Sequence, residues 1–410
     1  MNNVINYDSI AQLKESLEKE EDVYIYGFGI SGRWLAANID IPIQNFIDTD
    51  TKKSGRESTG ISCITLDEAK EKLTKNSVII ISVIDIQDVL PNVENLNIKK
   101  WLALGLFLNN HPVHINPTDE SEDFVKYSLQ AVEKCHKSYL VTQSLYLRSV
   151  DVVITEKCSL KCKDCSNLMQ YYEAPVDISF EEIKADFDEL TSKVEYIYEI
   201  RLIGGEPFMN KDIYRIMDYF NNNNKITKQV VYSNATIPLK EEFVNILKHP
   251  KLVFTLTDYR KVTKGAIERN TAKVHEALKR LEVPHRLHDP ENWTDSGVLQ
   301  DFKRDVPEMK EMFLDCCARN LITLTDNKLY RCPFAANADR LQGMPDDKRN
   351  YVSVNASTND IKKYINDIEF IPACNFCKGR SYSAPEIESA IQTSKPIPYE
   401  KYINVPIEIL

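Results

Sequence analysis

The sequence predicts an α/β protein of several domains: a small parallel sheet at the N-terminus, a larger strand–helix repeat in the centre, and a cysteine-rich C-terminal part. Three observations predict it. Strand and helix signals alternate over residues 22–105 and again over 150–281, as βαβ units do. Eight of the ten cysteines fall in two groups, three within 158–165 and five within 316–377. Glycine is scarce, twelve in 410 residues, and five of the twelve stand in two short motifs. A chain this sparing places glycine where backbone turns sharply or approaches a ligand.

The N-terminal elements come first. Asp22–Tyr26 reads as a strand, Ser31–Asn38 as a helix, Asn45–Asp48 as a strand and Leu66–Leu73 as a helix. Val78–Ser82 is continuous and β-branched, as a buried parallel strand should be, and Trp101–Gly105 closes the run. This places a first domain at 1–116. Residues 106–118 carry two prolines and three asparagines, which is linker chemistry. Ser121–Leu147 reads as one long helix or two short ones, so 117–149 is expected to link the domains. The second alternation has strands at Val152–Thr155, Tyr196–Ile203, Gln229–Ser233 and Leu252–Thr257. Helices are expected near Phe180–Ser192, Lys211–Asn221, Leu239–Leu247 and Lys264–Leu281. Such repetition implies a parallel sheet, curled or closed, with its active site at the carboxyl ends of the strands. That domain is set at 150–310, the cysteine-rich part at 311–380 and a tail at 381–410.

Composition excludes several function classes. Hydrophobic residues make up 43% and charged residues 27%, an ordinary globular balance. Sixty-one acidic against fifty-one basic residues leave a net charge of −10, which argues against a general nucleic-acid or anionic-membrane binder. The most apolar stretch, Val78 to Ile84, is far short of the ~20 residues that span a bilayer. The opening MNNVINYDSI has neither a basic leader nor an apolar core, so no secretory signal is expected and the expected compartment is the cytoplasm. Ten cysteines without export imply metal or redox chemistry rather than disulfides.

The central motif is Cys158-Ser-Leu-Lys-Cys162-Lys-Asp-Cys165, directly after an apolar strand. Three soft ligands on a loop, with no fourth nearby, favour an iron–sulfur cluster with one open iron. This motif, followed by Gly204-Gly205-Glu206-Pro207 after a second strand, resembles the radical SAM superfamily over roughly residues 150–283. The resemblance implies a partial (β/α) barrel and a [4Fe–4S] cluster on Cys158, Cys162 and Cys165, whose open iron chelates S-adenosylmethionine. It also implies that Gly204, Gly205, Glu206 and Pro207 line the methionine amine. YSNAT at 232–236 looks like the family's ribose- and methionine-contacting strand end and nominates Ser233 and Asn234; LTDYR at 256–260 nominates Asp258. Asp164 stands where the family usually has an aromatic residue, a departure that touches the adenine contact.

A second constellation comprises Cys316/Cys317, Cys332 and the CNFC pair Cys374 and Cys377. It is a complete ligand set for a second cluster, with a zinc ribbon as the alternative. The layout resembles the Twitch type of extension, a shorter relative of SPASM domains that binds one auxiliary [4Fe–4S] cluster. That resemblance implies Cys316, Cys332, Cys374 and Cys377 as ligands, although spacing alone does not separate Cys316 from Cys317. Asn327, where the family usually has glycine, also tolerates a left-handed turn.

Near the N-terminus, Gly27, Gly29 and Gly32 follow a strand and open a helix, with Asp48 twenty-one residues beyond Gly27. That is the arrangement for a nucleotide: tight turn, helix N-terminus for phosphate, acid for ribose hydroxyls. The segment resembles the small Rossmann-like domain of some sugar acyltransferases, which implies a nucleotide-linked sugar as ligand; an empty turn used for docking is the alternative. Together these readings give an oxidoreductase acting on a small polar, carbohydrate-like or nucleotide-linked substrate. Its cofactors would be the two clusters and S-adenosylmethionine, and its reductant flavodoxin or ferredoxin. Epimerisation or peptide modification, and a non-catalytic iron–sulfur sensing module, are the alternatives.

Overall fold

The computed structural model describes residues 10–403 apart from 21, 109–115, 117, 119, 121, 262–270, 291 and 382–383. The chain divides into two compact units, Met1–Arg148 and Ser149–Leu410.

Six strands build the sheet of the first unit: β1 (Val23–Tyr26), β2 (Phe46–Asp48), β3 (Glu57–Ser58), β4 (Ile61–Thr65), β5 (Val78–Ile81) and β6 (Lys100–Ala103). Their order is β3-β4-β2-β1-β5-β6, all parallel except the short edge strand β3. β1 and β5 are buried at every position, which is why VYIY and VIII show no polar alternation. Trp34 and Leu35 of the helix Ile30–Asn38 join this core. Thr65 and Glu68 form a capping box that starts the helix Leu66–Lys72. A helix at Ile86–Glu94 escapes the sequence reading because Pro91 lies inside it.

Much of the segment expected to link the domains belongs instead to the first unit. Glu122–Lys137 is a helix whose Val125, Leu129 and Val132 are core residues of that unit. Within the stretch of linker chemistry, residues 109–115 and 117 lie outside the described residues.

In the second unit the strands are β7 (Tyr146–Thr155), β8 (Tyr196–Gly204), β9 (Ile226–Ser233), β10 (Leu252–Thr257), β11 (His285–His288), β12 (Trp293–Thr294), β13 (Ile322–Thr325), β14 (Lys328–Tyr330), β15 (Tyr351–Ser353) and β16 (Glu386–Ile387). Eight of them form one sheet, ordered β11-β10-β9-β8-β7-β13-β14-β15. β8 to β11 run parallel, and β13 runs parallel to β7. The helices Phe180–Lys193, Ile213–Asn222 and Thr271–Arg280 alternate with these strands, the first started by a Ser179/Glu182 capping box. β13 and β14 form a hairpin whose two turn residues, Asp326 and Asn327, have φ of 52° and 59°. Asn327 thus adopts the left-handed backbone expected there, in the two-residue turn that suits strand twist. Strands β12 and β16 pair antiparallel, which draws part of the expected tail into the unit. Among the described residues no helix is long and apolar enough to cross a membrane.

Candidate active site and cysteine constellations

β7 ends at Thr155, and the loop beyond it carries the first cysteine group. Close backbone packing fixes that loop. A Cβ on Gly204, whose φ is +138°, would lie 2.1 Å from the Thr155 carbonyl oxygen, and one on Gly205 would lie 2.1 Å from that of Lys157. The Gly205 N–H donates to Thr155 O (2.9 Å) and the Glu206 N–H to Lys157 O (2.8 Å). The double glycine therefore lets the end of β8 lie directly against the cysteine loop.

A cavity of about 390 Å³ opens above these strand ends, walled by Cys158, Cys162 and Cys165. Gly204, Gly205, Ser233 and Asn234 line it too, so the structure brings these expected residues together around one space. Glu206, Pro207 and Asp258 are placed otherwise. Glu206 is fully buried and accepts from the Ser233 hydroxyl (2.8 Å), the Asn234 N–H (2.7 Å) and the Phe208 N–H (3.2 Å), tying β9 to the glycine turn. Burial pushes its carboxyl up to about 7, against the pull of those donors. Pro207, itself buried, starts a turn at 207–209, and the Asp258 carboxylate takes Arg260 through both oxygens.

The sequence reading also missed part of the wall. Tyr259 and Trp293 line the cavity, with ring centroids 6.1 Å apart and edge to face. A larger omission is the tail. Lys163 N–H donates to Ile391 O (2.7 Å) and Thr393 N–H to Lys161 O (2.7 Å), so residues 391–393 pair with the cysteine loop as a short antiparallel bridge. Between them the Gln392 amide accepts from Lys161 N–H (2.8 Å) and donates to Cys162 Sγ (3.1 Å).

Among the described residues, no three His, Cys, Asp or Glu side chains are grouped as for a single metal ion. The chemistry of the sulfurs nevertheless fits an iron–sulfur body, because every expected ligand accepts an N–H. Cys158 receives the Leu160 N–H, and Asn234 Nδ2 lies 3.7 Å from its Sγ. Cys165 receives three, from Asn167, Leu168 and Met169. In the second group Ala318 N–H reaches Cys316 (3.4 Å), Ala335 N–H reaches Cys332 (3.4 Å) and Gly379 N–H reaches Cys377 (3.2 Å); Cys374 receives Ile371. Such donors stabilise thiolate sulfur bound to metal. The remaining Cys63 donates its own S–H to a carbonyl and is buried, as is Cys135.

Electrostatics also joins the second set. Burial, and after it negative charge on Cys332, Cys377 or Cys316, raises the Cys374 thiol; burial, with Cys316 and Cys377 adding to it, pushes Cys332 up to about 12. Burial raises the Cys316 thiol and negative charge on Cys317 adds to it, while the Cys317 backbone N–H donates to Arg380 O (2.9 Å).

The N-terminal glycine motif is built differently. Gly27 has φ +114°, and a Cβ on Gly32 would lie 2.0 Å from Gly27 O, so both serve the packing of turn on helix. Gly29 caps the helix with nothing within 4 Å of its absent Cβ. Asp48 accepts from Phe28 N–H (2.9 Å), Asp50 N–H (3.0 Å) and Lys53 Nζ (3.0 Å).

Among curated proteins, none matches the chain. Three solved structures show limited similarity. BtrN in complex with AdoMet and 2-DOIA has 14% identity and a TM-score of 0.38, over 55% of this chain and 85% of that one. Native anSMEcpe with bound AdoMet and Cp18Cys peptide has 14% and 0.33, over 55% and 83%. Streptococcus suis SuiB bound to precursor peptide SuiA has 17% and 0.29, over 48% and 42%, so this chain spans under half of that protein. The radical SAM superfamily model matches residues 152–288. That matched stretch contains the three-cysteine loop and the double-glycine turn, so residues 152–288 are similar to the radical SAM superfamily.

Proposed function

We propose that this chain is a radical SAM oxidoreductase with an auxiliary [4Fe–4S] cluster, acting on a small polar, carbohydrate-like or nucleotide-linked metabolite. The observation that carries the reading is the pair of cysteine sets in one unit, each with N–H donors on its sulfurs. When bound, the first cluster supplies the electron that cleaves S-adenosylmethionine and so gives the radical that takes hydrogen from substrate carbon. The chain's own residues do the rest. Cys158, Cys162 and Cys165 would hold three irons, and the Gly204–Gly205 turn and the Asn234 strand end line the same space. Tyr259 and Trp293 wall that space and reduce water's access to a reactive carbon radical.

Oxidation of an alcohol also releases a proton and a second electron. Cys316, Cys332, Cys374 and Cys377 would hold the auxiliary cluster that accepts this electron. The separate electron that cleaves S-adenosylmethionine would come from a flavodoxin or ferredoxin, since the alcohol's first electron leaves with the abstracted hydrogen atom. Anaerobic reconstitution tests the proposal: about eight irons are expected, two cubanes by the ligand count, with 5′-deoxyadenosine formed on reduction. Alanine at Cys158, Cys162 and Cys165 together should abolish that product. Its persistence, or four irons with one zinc, would overturn the assignment of the corresponding site.

A further inference from the structure

A second cavity, of about 310 Å³, adjoins the first in the same unit, and Asn167, Gly204, Gly205, Tyr232 and Arg380 line both. Its remaining polar wall is Asp151 and Arg201. That volume suits a small metabolite, and a molecule seated there lies beside the space that the three cysteines face.

Arg380 is the unexplained group. It follows Cys377 by three residues, on a turn made by Gly379 at φ +92°, and its carbonyl is pinned by the Cys317 N–H. Its Nε is buried without a partner, and among the described residues its guanidinium meets no carboxylate within ion-pair distance. Neighbouring cations differ. Arg331 donates to four acceptors, Arg340 pairs with Glu156 and Asp326, Arg304 donates to the Cys374 and Cys377 carbonyls, and Lys378 pairs with Asp295. Arg201 repeats the pattern in part: its Nε donates to Asp151 (2.5 Å), while its buried Nη2 has no partner. A buried guanidinium N–H without an acceptor is costly, and a planar fork beside a cavity matches a carboxylate or phosphate through two bonds.

Resting on the proposed function, we infer that this second cavity is the substrate subsite and that the substrate carries an anionic group, carboxylate or phosphate, held by Arg380. Arg201 is a positioning residue that keeps Asp151 on the wall. Asp151, held by Arg201 Nε, lines the same cavity and presents its carboxylate to the substrate's hydroxyl groups.

Calorimetry on the full-length, anaerobically reconstituted protein tests this, with inorganic phosphate and acetate titrated separately at constant ionic strength. One of the two should bind with unit stoichiometry, and which one identifies the anion. Arg380→Gln should weaken that binding at least tenfold, and Arg380→Lys, which keeps the charge and loses the fork, by less. Iron content and electron paramagnetic resonance spectra of both variants report whether the clusters load. No binding of either anion, or equal affinity in loaded wild type and variants, overturns the inference. So does a variant that alters the cluster spectra with anion affinity unchanged, since the guanidinium then serves cluster sulfur. Cleavage of S-adenosylmethionine is measured on the same wild-type sample. Its absence overturns the proposed function, whereas its presence without anion affinity overturns only the anion subsite.

Discussion

Glu206 gives a prediction whose sign runs against ordinary expectation for a carboxylate. It is fully buried, and its carboxyl is raised by that burial from the ordinary 4.5 to about 7. Between those values the folded protein keeps a proton that the unfolded chain has released. Stability of the second unit therefore falls as pH rises through that window and levels above it, by about 3 kcal/mol at ~1.4 kcal/mol per pH unit. Glu206→Gln removes this slope. The variant also loses acceptor capacity, since an amide nitrogen must face either the Asn234 or the Phe208 N–H, at a cost of about 1–3 kcal/mol. The two effects offset near pH 8, where wild type bears a buried charge. At pH 5 only the cost remains, so the variant is the weaker there by about 1–3 kcal/mol. Urea titrations at both pH values, read by hydrogen-exchange mass spectrometry on peptides from residues 196–236, report this unit alone. Asp151 titrates alike in both proteins and cancels in the difference. A constant gap between wild type and variant at pH 5 and 8 would refute the reasoning.

Other outcomes follow from named contacts. His136 is fully buried, held by Gly105 N–H and Val83 O, and burial lowers it to about 4, so the first unit should lose about 3 kcal/mol as pH falls from 6.5 to 4; a flat acid limb in thermal melts of the first unit rejects this. A fragment of residues 1–148 should fold and one of 1–116 should not, because the shorter lacks Val125, Leu129 and Val132 of the core; circular dichroism decides. Gln392→Leu should lower the midpoint potential of the cluster on Cys158, Cys162 and Cys165, since an N–H to Cys162 sulfur favours the more negative reduced state. An unchanged midpoint in a redox titration followed by electron paramagnetic resonance would remove that role. Gly29→Asp should leave the first unit folded, as aspartate is a good helix N-cap and the position is open. If the turn binds phosphate, the same change should abolish nucleotide-sugar binding by calorimetry.

What the sequence made legible is contiguous in the chain. The three-cysteine loop, the double glycine and the Ser233–Asn234 strand end can each be read within a few residues, and the sheet places them together because strands β7, β8 and β9 are neighbours. What it hid depends on long-range register. Gln392 lies 230 residues from the Cys162 sulfur it meets, and nothing local to a Gln-Thr-Ser-Lys stretch marks it as a partner of a metal ligand. Arg201 shares a cavity with Arg380 only because β8 lies beside β7 and the C-terminal cysteines fold back over them. The hairpin at Asp326–Asn327 and its short strands leave too few residues for periodicity to register.

The glycine argument separates two demands that look identical in sequence. Scarcity implied that motif glycines permit a sharp turn or a close approach, and at two of them the distances agree: 2.0 Å from a Cβ on Gly32 to Gly27 O, and 2.1 Å from one on Gly204 to Thr155 O. The approaching group in both cases is the protein's own backbone. Asp48 follows the same logic, since its carboxylate caps Phe28 and Asp50 and pairs with Lys53, all within the turn that it was expected to complete around a ribose. A strand, a glycine turn and a downstream acid are thus what a parallel sheet requires to turn tightly into a helix, whether or not a nucleotide is present. Only Gly29 has no such structural demand on it, with φ −81° and open space where a side chain would stand. The phosphate reading of the first unit therefore reduces to that position, whereas in the second unit Gly204 and Gly205 both pack the cysteine loop and line the cavity beside it.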